Sequence, residues 1–164
     1  MSKRRATLAV AGLTLGCALA AAPAEAGSAK QDRVERAVVK QVNAVRAQHG
    51  LRKLRRHRGL ARAADAKAVE VVTTQVLSHS SPDGTSMDDR VRRYVRAKIV
   101  GETLGYVPAK SRQAKRIVDG WMASPGHRAA LLSPAFHRVG VGRRRTRLGS
   151  RPIAVIALDL ASSR

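Results

Sequence analysis

The chain has little with which to staple or stack itself. Its 164 residues include one cysteine, one tryptophan, two tyrosines and one phenylalanine. The cysteine, Cys17, lies in an apolar N-terminal run, so the chain beyond that run can form no internal disulfide and must be held by packing. The aromatics are too few to stack bases along the basic runs, which argues against a single-strand nucleic-acid binder. Acid is scarce as well: 11 Asp and Glu face 32 Lys and Arg, for a formal net charge of +21. A stretch of about 20 strongly apolar residues, which a spanning helix needs, is also missing, because the run Ala6 to Ala22 is rich in Ala and Gly.

What is present at the N-terminus reads as an address. Ser2-Lys3-Arg4-Arg5 is a basic start, Ala6 to Ala22 an apolar run, and Ala24-Glu25-Ala26 a small-x-small cleavage pattern. Residues 1–26 are therefore expected to be a signal peptide, 27–31 a short polar linker and 32–164 one domain, which a chain of this length can close around a single core. An uncleaved anchor is the alternative. A lipoprotein fits less well, since Thr14-Leu15-Gly16 before Cys17 lacks the usual Leu three residues ahead. Without the leader the net charge is about +19, which suits solubility or attraction to anionic lipid and envelope polymers.

Val34, Val38, Val42 and Val45 form one stripe of a helix from near Asp32 to His49-Gly50, where Gly50 can stop it. Leu60, Ala64, Ala68, Val71 and Val72 mark a second helix that ends before Ser78. After the turn Ser80-Ser81-Pro82-Asp83-Gly84, a third starts at Thr85 or Ser86 with Asp88 and Asp89 near its positive end. Ile99 to Val107, broken by glycine, reads as irregular or a short strand. Ala114, Ile117, Val118 and Trp121 give a fourth helix, and Ser124-Pro125 opens a brief one through Leu132. Val139-Gly140-Val141 and Ile153 to Leu160 read as strands joined by a basic loop, Gly142 to Pro152. The second is too continuously apolar for a strand facing water. Helices followed by strands argue for an α+β fold in which helices cover a small sheet.

Of five histidines, His49, His57 and His137 sit beside basic or loop residues and read as surface groups. His79 and His127 lie at polar turns next to element ends, where a side chain can point into a cleft. Glu102 is the one charge in the stretch Ile99 to Val107. Two imidazoles and a carboxylate can bind zinc or a similar divalent ion, or move a proton; their wide spacing leaves that choice open. Arg143-Arg144-Arg145-Thr146-Arg147 reads as a solvated turn, with an anion-binding loop as the alternative. Trp121 reads as core, and Arg128 as half of a buried or half-buried ion pair.

These residues resemble a family. Ser78-His79-Ser80-Ser81-Pro82-Asp83-Gly84, Gly101-Glu102-Thr103, the block Gly120 to Leu132 containing Trp121 and Ser124-Pro125-Gly126-His127-Arg128, and Val139-Gly140-Val141-Gly142 are similar to the ordered signatures of bacterial CAP-superfamily (SCP-type) domains. With Asn43-x-x-Arg46 and Gly50-Leu51, the similarity covers nearly all of Val34 to Leu160. The resemblance implies an α-β-α sandwich, a secreted or cell-envelope location, and a cleft lined by His79, Glu102 and His127, with zinc or another divalent ion held by the two histidines in some relatives. Two departures matter. The common Gly-Glu-Asn reads Gly-Glu-Thr here, although the Thr103 hydroxyl can still make one hydrogen bond. The second acid found after the tryptophan in many relatives has no counterpart in Met122-Ala123-Ser124, as in many bacterial members.

The expected function is therefore binding of a lipid or other anionic envelope component in this cleft, at a membrane surface or free of it, with no nucleic acid involved. The alternative is a metal-dependent hydrolase, a peptidase or esterase, with Glu102 as base. A structural envelope protein with a vestigial site is a third reading. No serine or cysteine nucleophile stands in a recognisable setting, which favours binding.

Overall fold

The structure is a computed structural model that describes the backbone of residues 24–163 and the side chains of residues 32–163. The expected leader, as far as residue 23, lies outside the described residues. The elements in chain order are α1 (Ala24–Gln48), β1 (Arg55–Arg56), α2 (Arg58–Thr74), α3 (Met87–Arg92), β2 (Val100–Pro108), α4 (Gln113–Ala123), α5 (Pro125–Leu132), β3 (Arg138–Leu148) and β4 (Arg151–Ala161). The four strands form one sheet in the order β1-β3-β4-β2, with β1 parallel to β3 and the other pairs antiparallel. The fold is α+β. Among the described residues no helix is long and apolar enough to cross a membrane.

The side-chain alternation of β4 explains the layering. Ala154, Ile156, Leu158 and Leu160 pack with Val38 and Val42 of α1, Ile117, Val118 and Trp121 of α4 and Leu131 of α5. Ile153, Val155 and Ala157 point the other way, onto Ala64, Ala68 and Val71 of α2, and Ala161 joins Leu60, Val91 and Val95. A strand covered on both faces has no position for a solvated residue, so from Ile153 to Ala161 its sequence is apolar except at the buried Asp159. The result is the three-layer α-β-α arrangement.

Helix α2 lies so close to β3 that glycine is required beneath it. A Cβ on Gly140 would fall 2.0 Å from the Ala61 nitrogen, and one on Gly142 would fall 2.2 Å from the Asp65 nitrogen. Both obstacles are backbone atoms, which cannot rotate away. The glycines of Val139-Gly140-Val141-Gly142 thus set the distance between helix and sheet.

Three boundaries differ from the sequence reading. Helix α1 begins at Ala24 rather than near Asp32, so the expected linker 27–31 is helical in its backbone. Val100 to Pro108 is a full strand rather than an irregular stretch. Its glycines fit close packing: a Cβ on Gly101 would fall 2.8 Å from the Phe136 ring, and one on Gly105 would fit tightly at 3.1 Å from Ile117 Cδ1. The basic stretch after Gly142 is also strand, reaching Leu148 before a turn at Gly149, whose φ is +57°. Arg143 faces inward there, its Nε donating to Gln113 Oε1 at 2.8 Å, while Arg144 pairs with Asp65. Alternation along a strand, and not a flexible turn, separates these arginines.

Placing a methyl group at Gly142 (Gly142→Ala) is expected to cost about 3 kcal/mol or more, because the backbone of α2 must move. Gly120→Ala, at an exposed site in α4 with nothing within 4 Å of the new carbon, is expected to gain about 0.5–1 kcal/mol. Urea midpoints of the two variants check both signs.

Candidate functional site

The loop that carries His79 is pinned from below. Helix α2 ends at Thr74 with Gln75 in the left-handed region at φ 58°, its N–H bonded to the Val71 carbonyl. One turn back, the fully buried Lys67 donates from Nζ to Glu70 Oε1 at 2.5 Å and to the Ser80 carbonyl at 3.1 Å. Ser81 Oγ donates to the other oxygen of Glu70 at 2.6 Å. Burial alone would raise the Glu70 pKa, but the hydrogen bonds from Lys67 and Ser81 outweigh it and hold the carboxyl below its ordinary value. Ser80 and Ser81, the two residues that follow the exposed His79, are thereby fixed to helix α2.

Glu102 enters from β2, opposite Asp159 of β4 in the strand register. Its side chain has 0% exposure. Oε1 accepts from His79 Nδ1 at 2.8 Å, and Oε2 accepts from Arg90 Nη2 at 2.6 Å. Arg90 is supplied by α3, a short helix whose start is fixed by Ser86, whose Oγ accepts from the Asp89 amide at 3.1 Å. Because Nδ1 faces the carboxylate and the His79 side chain is 53% exposed, the ring turns its Nε2 toward solvent.

His127 is the third residue of α5, on the other layer of the molecule. Its ring centroid lies 6.0 Å from that of His79, with the planes tilted by 60°. Partial burial, chiefly, and the neighbouring His79 lower its pKa, against an opposing pull from Glu102. The three residues singled out in the sequence thus come together at β2, the outer strand of the sheet, reached from both layers.

Their roles are unequal. Both oxygens of Glu102 are engaged and shielded from water, so it orients His79 and has no free oxygen to activate a water molecule, the part the sequence reading offered it. As a metal site the donor set fits two imidazoles and not three ligands. Among the described residues no group of three or more His, Cys, Asp and Glu is placed to hold an ion.

Other residues depart from expectation. The Thr103 hydroxyl is buried without a hydrogen-bond partner, its side chain sharing a face with Leu158, so it does not replace the missing amide. Arg128 is exposed, its Nη2 3.3 Å from His49 Nε2, and forms no buried ion pair. His57 is half-buried and caps α2 by accepting from the Leu60 amide, and His137 is half-buried as well. Trp121 is core. Sequence reasoning missed Lys67, Arg90 and Asp159. The first and last had a visible signal, a single charge within the apolar stripe of α2 and within the apolar run of β4; Arg90, between Asp89 and Val91, had none.

Comparison with known proteins speaks to the family and the fold. The family model described as the cysteine-rich secretory protein family, CAP, matches residues 39–157. The chain is 33% identical over 110 residues to the uncharacterized protein YkwD of Bacillus subtilis, covering 66% of this chain and 41% of that protein. It is 31% identical over 113 residues to the uncharacterized membrane protein YlbC of the same organism, covering 68% of this chain and 32% of that one. The chain therefore spans less than half the length of either relative. Among solved structures, an extracellular protein of Bacillus anthracis containing an SCP domain superposes with a TM-score of 0.68 at 22% identity, covering 81% of this chain and 41% of that one. An outer surface protein of Borrelia burgdorferi superposes at 0.65 with 20% identity, covering 78% and 92%. At such identities the structural likeness speaks for the fold.

Arg90→Leu removes the cation that balances a buried carboxylate while keeping an apolar side chain on α3. The expected loss is about 3–5 kcal/mol of stability, read from denaturant unfolding.

Proposed function

The chain belongs to the CAP family, the cysteine-rich secretory protein family, and from that premise we propose that it is an extracellular binding protein whose ligand seats at His79 and His127. The observation that carries this reading is the complete burial of Glu102 between His79 and Arg90. A hydrolase built on this carboxylate needs one of its oxygens within reach of a water molecule, and both face other side chains. What stays open to a ligand is a pair of neighbouring imidazoles, one oriented by a carboxylate from behind.

That pattern suits a divalent ion, zinc above all. A carboxylate behind a ligating histidine fixes the tautomer and strengthens the outward nitrogen as a donor. His79 and His127 would hold the ion, and water would complete its shell. A bound ion supplies a positive point to which an anionic head group can attach.

Two features support an amphiphilic envelope ligand. Val76 and Leu77, which lead into Ser78-His79, are 55% and 47% exposed, so an apolar edge borders the imidazoles. The net charge of +21 draws anionic surfaces toward the protein. The leader-like N-terminus, together with relatives described as extracellular or as an outer surface protein, supports a place outside the cytoplasm.

Zinc titration of the purified chain tests the imidazole pair. The expected result is about one ion per chain, lost in both His79→Ala and His127→Ala and weakened about 10–100-fold in Glu102→Gln. A wild type that takes up no stoichiometric zinc overturns the metal reading. Extraction of co-purified lipid and flotation with anionic vesicles test the ligand class; protein that emerges empty and stays off such vesicles overturns it.

A further inference from the structure

Asp159 lies near the C-terminal end of β4, the most deeply covered strand, and its side chain has 0% exposure. It faces the layer of α2 and α3. From β2 it meets Glu102, its partner in the register; from α3, Arg90; and from α2, Lys67. On its other side β3 presents Gly140, which has no side chain. His79 lies beyond Glu102, and Glu70 beyond Lys67.

The charges in this space do not match if every group is ionised. Lys67 is committed to Glu70 and Ser80. That leaves one guanidinium for two carboxyl groups, and Arg90 has chosen between them. Its Nη2 is 2.6 Å from Glu102, whereas its Nη1 is 4.0 Å from Asp159, beyond hydrogen-bond distance. Both oxygens of Asp159 are buried with no hydrogen-bond partner. A carboxylate so placed is strongly penalised, since burial removes its water and nothing replaces it. A neutral carboxylic acid in the same place brings its own donor, and an anionic acceptor stands directly across the strand pair.

We propose that Asp159 is held as the neutral acid and donates a hydrogen bond to Glu102, acting as a positioning residue for the Glu102–His79 pair. Glu102 then receives donors from three elements, α3, β4 and the loop after α2, and its rotamer is fixed from each. Burial above all, and then the adjacent charge of Glu102, push the Asp159 carboxyl well above the ordinary range, and the opposing pull of Arg90 and Lys67 does not cancel them.

The sign of the pH dependence separates this role from an ion pair with Arg90. A carboxyl whose folded pKa is raised stabilises the fold fully below its unfolded value, about 3.9. That contribution is lost as pH rises toward the folded value. An ion-paired Asp159 would behave in the opposite way, gaining stability as pH rises.

The test uses the full chain, kept free of divalent ions, and Asp159→Asn, a neutral isostere that still donates. At pH 7 the wild type is expected to show a protonated-carboxyl C=O band in the infrared that moves when aspartate is labelled with carbon-13 and is missing from Asp159→Asn. From pH 5 to pH 8 the melting temperature of wild type is expected to fall relative to that of the variant. The Nδ1–H signal of His79 in nitrogen-15 spectra is expected to persist in Asp159→Asn and to be lost in Asp159→Leu, which cannot donate. Absence of the labelled band in wild type overturns the proposal even if the variants fail to fold. So does a variant that loses more stability at pH 8 than at pH 5. None of these readouts involves zinc or lipid, so they stand or fall apart from the binding function proposed above.

Discussion

The side chain of Glu102 has no contact with solvent, and an isolated carboxylate in that position would cost several kcal/mol. The elements around it therefore have to supply its partners. Arg90 comes from α3 and His79 from the loop after α2, so two separate segments ahead of β2 are committed by one group. Burial also sharpens the contact. Low surrounding polarity strengthens a charge-assisted hydrogen bond and raises the cost of losing it. The orientation of His79, whose own ring is half in water, is consequently set by groups that water does not reach. A partly exposed functional ring on a buried support is a way to combine access with a fixed direction.

The fold creates that support by bringing α2 unusually near the sheet. Gly140 and Gly142 let the helix backbone rest on β3, which carries Lys67, midway along the helix whose start His57 caps, down toward the sheet. Lys67 then holds Ser80, and Glu70 holds Ser81, so helix depth and loop position are one constraint. On the opposite layer α5 presents His127 from a helix whose start is fixed by Ser124-Pro125. Neither layer alone makes the imidazole pair; the outer strand β2 is where both can reach.

The class of fold was legible because it rests on local patterns: valine spacing in α1, the Ser124-Pro125 start of α5 and the apolar run of β4. His79, Glu102 and His127 stood out by their settings, but their spacing left the site open, and only the resemblance to CAP domains gathered them into one cleft. What escaped notice depends on distance between layers. Gly101 and Gly105 read as breaks, although both lie within β2, where Phe136, or Ile117 and Trp121, pack close to them. Arg143 read as part of a solvated turn, since nothing in a run of arginines says that Gln113 waits for one of them. Asp159 and Lys67 were single charges in apolar stripes, and a sequence cannot tell whether such a charge points out or is answered across the core. The Glu102 role changed for the same reason: its residue type was visible, its burial was not.

A few members of the basic excess are architectural. Arg46 is buried, with Nε donating to the Arg52 carbonyl and its amino groups donating to those of Leu131, Ser133 and Phe136, which ties α1 to the segment between α5 and β3. Burial lowers its pKa, as it does that of Arg143, and an arginine tolerates such a shift while staying charged. Arg138 binds the carbonyls of Arg96 and Ser162 and so closes the end of β4. With no disulfide open to the chain beyond Cys17, guanidinium groups reaching backbone carbonyls do the cross-linking between distant segments. The five donors of arginine suit that task better than the three of lysine. An arginine-rich composition is therefore ambiguous by itself: the same residue type that draws anions to the surface also fastens the interior, and only burial distinguishes the two uses.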